Sequence, residues 1–390
     1  MELNDNLHLA YCTNIHRGEG WRETFANLEK YVLGVRDEVA VGRSYAIGLR
    51  LGAGAAEELC DPSQDNLGDF RRWLDANNCY VFTINGFPYG NFHGERVKEQ
   101  VYIPDWTSRD RLEYTKRLFD IIAELVPDGV SGSVSTLPGS FKEFINDDEE
   151  QGSVIIDNLA ECAEHILHLV ESTGKDLHLG LEPEPLGWFE TSGETVAFFK
   201  RFREQKGGRF DRVLGVNYDT CHLAIEFEEP KDAISNLLDA GIRISKLHLS
   251  SALKLEPNPA SLRALENFQE DVYLHQVVTR DGDGNIIRYR DLPDALKEQG
   301  EKTAGNGEQW RVHFHIPLYS EPAGGLADTR DHIDGVLDML REDASICSHL
   351  EMETYTWEVL PEELQCGDVV EQLRREYEWI LKRLSERGLA

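Results

Sequence analysis

Short apolar runs alternate with longer amphipathic stretches from one end of the chain to the other. Runs at 7–15, 45–51, 79–87, 130–137, 177–184, 213–220, 242–250, 311–319 and 349–357 predict strands. Between them, the stretches 110–125, 153–173, 192–205, 328–342 and 368–387 carry apolar residues at helical spacing. Strand followed by helix, repeated along a chain, is the pattern of parallel strands joined by helical crossovers. Eight such units close into a (β/α)8 TIM barrel, which takes about 250 residues and tolerates large insertions; this chain has 390. The competing arrangement, an open doubly wound sheet, carries a glycine-rich phosphate-binding turn after its first strand. Here the first strand runs into the segment NIHRGEGW (14–21), whose glycines do not make that motif.

The pattern offers nine strand candidates for eight places. The stretch 251–310 is far too long for an ordinary strand-to-helix loop, and within it YLHQVVTRDGDGNIIRYRDL (273–292) has two β-rich arms around an Asp/Gly/Asn turn, a hairpin signal. We therefore expect a long insertion after strand seven at about 251–310, with 311–319 continuing it across the barrel mouth and 349–357 as strand eight. No repeat, low-complexity tract or Pro/Gly-rich linker divides the chain, so a single domain over 1–390 is expected.

Composition narrows the partners. Hydrophobic residues make up 41% of the chain, enough for a large core, and 71 acidic against 40 basic residues give a formal charge of -31. A surface this negative repels phosphate backbones and anionic lipid heads, so neither nucleic acid nor a membrane surface is the expected partner, although a cleft can still take an anionic small molecule. The seven cysteines form no C-x-x-C pair and fall in apolar segments, as free thiols of a reducing compartment do. The first residues lack the pattern of a secretory signal, so a cytoplasmic location is expected.

In such barrels chemistry gathers where strands end at the C-terminal face. Four predicted strand ends carry ionisable residues: Glu182 in LGLEPEP, Asp219 in VNYDTCHLA, His248 in SKLHLS and Glu353 in LEMETYTW. Each has an ordinary reading alone: Glu182 or Glu184 as a loop carboxylate between prolines, His248 as a satisfied interior histidine, Asp219 as a helix N-cap. Together, three carboxylates and an imidazole at neighbouring strand ends repel and desolvate one another unless a cation joins them. Such an oxygen-rich set with one nitrogen suits Mn2+ best, with Zn2+, Co2+ or Mg2+ also compatible. Cys221, between Asp219 and His222, is expected to point away into the core. His313 and His315, two apart on an extended segment, face the same side and could share an ion, substrate or solvent.

The segments LEPEP, N-x-D-T-C-H-x-A, the seventh-strand K-L-H and the eighth-strand E-T resemble, in strand order over roughly 7–388, the xylose-isomerase-like barrel superfamily of sugar isomerases, epimerases and endonuclease-IV-type enzymes. The resemblance implies Glu182, Asp219, His248 and Glu353 as metal ligands and His222 on a substrate hydroxyl. It places Lys254 where many of these epimerases have a substrate-clamping arginine, and aligns Glu190 with a substrate-contacting glutamate. His93, His313 and His315 resemble the extra ligands of multi-metal relatives, His93 standing otherwise as a substrate contact and the other two as a possible second metal site. Asn14, His16, Asn85 and Lys142 are candidate pocket residues.

These readings converge on a metal-dependent isomerase or epimerase of a sugar, sugar phosphate or cyclitol, with Glu182 and Glu353 moving the proton. Two rivals stand beside it. An endonuclease-IV-like phosphodiesterase shares the DTCH segment but wants a basic surface, and a non-catalytic metabolite-binding component would hold metal and ligand without turnover. A homo-oligomer is compatible with the family resemblance, although no interface is legible in the sequence.

Overall fold

A computed structural model describes residues 1–94, 96–299 and 307–390. Its strands, in chain order, are β1 (His8–Tyr11), β2 (Tyr45–Arg50), β3 (Cys79–Asn85), β4 (Gly132–Thr136), β5 (Leu177–Leu181), β6 (Leu214–Asp219), β7 (Arg243–Leu249), β8 (Leu253–Leu255), β9 (Val277–Arg280), β10 (Ile286–Tyr289), β11 (Gln309–Val312), β12 (Leu326–Asp328) and β13 (His349–Met352). Eight of them, in the order β1-β13-β7-β6-β5-β4-β3-β2, form one parallel sheet. A parallel bridge between Cys12 and Gly48 brings its two ends together, closing a (β/α)8 barrel. Gly48 sits where the β2–β3 register shifts, and a Cβ there would lie 2.0 Å from Glu351 Oε1 and 2.6 Å from the Tyr11 carbonyl oxygen. Only glycine lets the seam close over a side chain inside the barrel.

The crossover helices start where the sequence supplies caps. Ser108 accepts from the Asp110 N–H at the head of Arg109–Leu125, Asp147 from Glu149 and Glu150 at the head of Asp148–Thr173, and Thr191 from Glu194 at the head of Ser192–Lys206. Their apolar faces cover the outside of the barrel, burying residues such as Leu118, Ile122, Ile155 and Phe199.

After β7 the chain leaves the barrel. Strands β8 to β12 build a second, five-stranded sheet in the order β10-β9-β11-β8-β12, antiparallel throughout, over its own apolar cluster of Leu253, Leu265, Val277, Trp310, Val312 and Phe314. The 273–292 stretch does form a hairpin, β9 against β10. The candidate strand 311–319 is not a barrel strand: its first residues end β11, and 313–319 runs on without strand structure, leaving β13 as the eighth barrel strand. The excursion extends past the expected 251–310 and its continuation at 311–319 to Asp328, because β12 has three residues and is too short to leave a periodic signal. Residues 300–306, within the expected 251–310 insertion, lie outside the described residues. The root of the insertion is laced shut: Ala252 N–H donates to Thr329 Oγ1 (2.8 Å) and Thr329 N–H to the Ala252 carbonyl (3.1 Å). All seven cysteines are free thiols, and among the described residues no helix is long and apolar enough to cross a membrane.

Candidate metal centre

Alternation along a strand sends every second side chain into the barrel. On β7 this turns both Lys246 and His248 inward, on β6 Asn217 and Asp219, and at the end of β13 Glu351 and Glu353; Glu182 follows directly after β5. Glu182, Asp219, His248 and Glu353 are all buried. One oxygen of each carboxylate converges on the same imidazole nitrogen: Glu182 Oε1 lies 3.1 Å, Glu353 Oε2 3.3 Å and Asp219 Oδ2 3.4 Å from His248 Nδ1.

The remaining atoms are held from behind. Glu182 Oε2 accepts from Asn217 Nδ2 (2.7 Å), and Glu353 Oε1 from Asn14 Nδ2 (2.8 Å) and Asn85 Nδ2 (2.9 Å). Asp219 Oδ1 caps the helix Thr220–Ile225 through the N–H groups of Cys221 and His222 and accepts from Ser250 Oγ (2.5 Å). The N-cap reading of Asp219 and its inward-facing role are therefore two oxygens of one carboxylate. Asp219 Oδ2, buried, has no hydrogen-bond partner among the described residues. His248 Nε2 pairs with Glu351 Oε2 (2.8 Å), itself bound by Lys246 Nζ (2.6 Å), so the ring proton belongs on Nε2 and Nδ1 is left with its lone pair inward.

A single N–H cannot satisfy three carboxylate oxygens, and an unpaired buried carboxylate oxygen is costly. The four donors, all within 4.8 Å of one another, fit a divalent cation. Electrostatics agree. Although burial opposes both charged forms, His222 and His248 hold Asp219 well below the ordinary carboxylate range, while Glu353 and Glu182 raise His248 well above that of a free imidazole. Without a cation a proton takes the Nδ1 position, so proton and metal compete for one place.

Beside this centre, three more imidazoles meet. His313 Nε2 lies 3.1 Å from His222 Nε2 and 3.0 Å from His315 Nε2. Each ring's Nδ1 faces an oxygen: the Pro183 carbonyl for His222 (3.1 Å), Gln276 Oε1 for His313 (2.7 Å) and the Glu353 carbonyl for His315 (3.0 Å). With the protons placed there, the His313 Nε2 lone pair faces those of His222 and His315, and His313 groups within 4.8 Å with Cys221 and His315 and with Glu184 and His222, donor sets open to a second cation. Burial keeps His313 and His315 well on the neutral side, as ligands need. Cys221 is core, as expected, packed in a small apolar cluster with Ile225, Ala252 and Val278. It stands in the first turn of Thr220–Ile225 rather than on β6, and its sulfur groups with the nitrogens of His313 and His315 within 4.8 Å.

Both centres open into one cavity of about 560 Å3, its mouth included, lined by Asn14, Asn85, Glu182, Glu184, His222, Gln276, His313 and Glu353 together with an apolar and aromatic wall. Glu184, left without a role by the sequence, is buried here; burial pushes its carboxyl up to about 8, against the pull of His222, and it groups with His222 and His313 within 4.8 Å. The sequence signal for it was its place two residues after Glu182, on the same side of an extended segment.

Five other expected contacts do not line this cavity. Lys254 belongs to β8 in the insertion, where its ammonium pairs with Asp331 (2.8 Å). Glu190 accepts from the Leu186 N–H and pairs with Lys142 and Arg288, and Lys142 is spent on Glu190 and Glu194. His93 uses both ring nitrogens, on the Asn14 carbonyl and on Tyr273 Oη, as a latch between loops. His16 stacks on Tyr31 (4.5 Å) and bonds Tyr11 Oη (2.9 Å), and likewise stays outside the cavity lining.

An eight-stranded parallel barrel with ionisable groups gathered at the carboxyl ends of its strands defines a (β/α)8 protein with its site in the usual place. Residues 48–342 match the model of the xylose isomerase-like TIM barrel family, and the chain belongs to that family. Among solved structures it is similar to a D-tagatose 3-epimerase-like protein (12% identity, TM-score 0.51, covering 98% of each chain). It is also similar to a D-psicose 3-epimerase with D-tagatose from Clostridium cellulolyticum H10 (13% identity, TM-score 0.50, covering 98% of this chain and 99% of that one). At these identities the likeness speaks for the fold. None of the curated proteins compared with the chain matches it.

Proposed function

We propose that the protein is a divalent-metal-dependent isomerase or epimerase of a sugar, sugar phosphate or cyclitol. The observation that carries this is the convergence of three buried carboxylate oxygens on one imidazole nitrogen, beside a cavity that Glu182 and Glu353 line. Glu182, Asp219, His248 and Glu353 would hold the cation, Mn2+ being favoured by the oxygen-rich set. When bound, it supplies Lewis acidity toward two neighbouring substrate oxygens and acidifies the hydrogen on the adjoining carbon. Glu182 and Glu353, each anchored by side-chain amides on its outer oxygen, remove and return that proton. His222 faces the substrate hydroxyls from the cavity wall, with Glu184 beside it.

The segments YCTNIH, NGFPYGNFHG, VYIPDW, TLPGSFK, NYDTCHLA and HFHIPLY also resemble EboE, the sugar-isomerase-like member of a bacterial metabolite-traffic gene cluster, and we place the reaction in a secondary-metabolite pathway of that kind. The test is turnover of a sugar and cyclitol panel in deuterated water with Mn2+ supplied. Deuterium should enter the product at the reacting carbon, and Glu182→Gln or Glu353→Gln should slow turnover by about 100-fold or more. Full-rate product without label, under conditions where exchange competes, would point to hydride transfer, and no turnover across the panel would favour a binding role.

The 3.0 Å approach of His313 Nε2 to His315 Nε2 supports a second cation held by that pair. Replacing His313 and His315 together with alanine should lower the metal content by one equivalent. Unchanged metal content and unchanged ligand binding would make the pair structural.

A further inference from the structure

The far wall of the cavity has a different character from its floor. Phe87, Phe92, Val101, Tyr102, Leu274 and Tyr355 line the same cavity as the carboxylates. Phe92, Tyr273 and Tyr355 pack on one another with ring centroids 5.0–5.4 Å apart, which sets that part of the wall firmly. Among the described residues one lysine and no arginine line the cavity. That lysine, Lys98, is not free to receive an anion: Nζ binds Asp291 Oδ2 at 2.7 Å and the Glu270 carbonyl at 3.1 Å, with the side chain 5% exposed.

Away from a cation at the carboxylates, a phosphate on the other end of the substrate would need a free basic side chain or a fan of N–H donors, and Phe87, Phe92, Val101 and Leu274 offer hydrocarbon instead. An unsubstituted sugar would leave that apolar surface wet. Resting on the isomerase reading of the floor, we infer that the substrate is uncharged and two-ended: a polyhydroxylated ring held over the carboxylates, carrying an aromatic or aliphatic substituent that packs on the Phe87–Phe92–Val101–Leu274 wall. The apolar substituent supplies binding energy remote from the reacting carbon and fixes which end of the ring meets Glu182 and Glu353.

The inference is tested by calorimetric titration of the Mn2+-loaded protein with four probes: D-glucose, D-glucose 6-phosphate, phenyl β-D-glucopyranoside and phenol. Burial of one phenyl ring predicts that the phenyl glucoside binds at least tenfold tighter than glucose, with glucose 6-phosphate no tighter than glucose. Val101→Asn, a change on the wall away from the candidate ligands, should erase most of the gain and leave glucose affinity in place. Equal affinity for glucose and its phenyl glycoside, tightest binding of the phosphate, or a gain that survives Val101→Asn and Leu274→Asn overturns the inference while leaving the polyol isomerase reading standing. Phenol binding as tightly as the phenyl glucoside, or no binding by any probe, overturns both.

Discussion

Glu351→Gln separates the two duties of a side chain that touches neither substrate nor cation. Glu351 is fully buried, and Lys246, working against burial, keeps its carboxyl down at about 2, so it is ionised at any working pH. Its Oε2 accepts from Lys246 Nζ (2.6 Å) and from His248 Nε2 (2.8 Å). An amide keeps the shape but removes the charge. Lys246, itself buried, then has only Ser135 Oγ (2.9 Å) as a further partner, and stranding a buried ammonium costs about 3–5 kcal/mol of folding stability. His248 loses the carboxylate that fixes its tautomer, which lowers metal affinity about 10- to 100-fold. The double variant Lys246→Met/Glu351→Gln removes both charges, so it should regain most of the stability yet keep the weakened metal binding. Urea unfolding of the metal-free proteins measures the first quantity, and competition with a chromophoric chelator the second. Wild-type metal affinity in Glu351→Gln would refute the support assigned to the carboxylate. A double variant no more stable than the single would refute the stranded-charge account.

Two further outcomes follow from the same geometry. Asp219→Asn and Asp219→Ala should both lose most of the tightly held metal, but only the alanine should lose the cap on Thr220–Ile225, a difference of about 1 kcal/mol in unfolding that metal analysis and denaturation read separately; full metal content in both would remove Asp219 from the centre. Glu376, buried on the last helix, accepts from the Leu318 N–H (3.0 Å) and Thr354 Oγ1 (2.6 Å), and burial lifts its carboxyl from 4.5 to about 7. The folded state then binds the proton more tightly than the unfolded one. Its contribution is full below pH 4.5 and is lost as pH rises toward 7, so Glu376→Gln should gain on the wild type by about 3 kcal/mol between those limits, and parallel stability curves would contradict it.

Much of this arrangement can be read from the sequence because a strand end announces itself: an apolar run followed by an ionisable residue. Glu182, Asp219, His248 and Glu353 stand out in that way, and so does the surplus strand that betrays the insertion. Lys246 and Glu351 do not, since a lysine and a glutamate in a strand read as solvent-facing; yet each lies two residues before a candidate ligand, and alternation alone turns them inward. Gln276, Tyr102 and Tyr355 reach the cavity from loops whose course no periodicity fixes. Lys254 is not brought to the cavity because the register of β8 against β11 and β12 sets it in the second sheet, paired with Asp331.

The laced root at Ala252 and Thr329 bears on how such a protein can change over generations. Because the excursion leaves and returns at one point, exchanging 252–328 for a short turn would demand little extra closure entropy of the rest of the chain. The eight barrel strands and the four inward-facing groups at their ends lie entirely outside that segment, while His313, His315, Gln276, Tyr273 and Leu274 lie within it. The two portions can thus drift at different rates: the barrel conserves a way of holding charge, and the excursion is free to be rewritten, altering what is held above that charge without disturbing the strands that carry it.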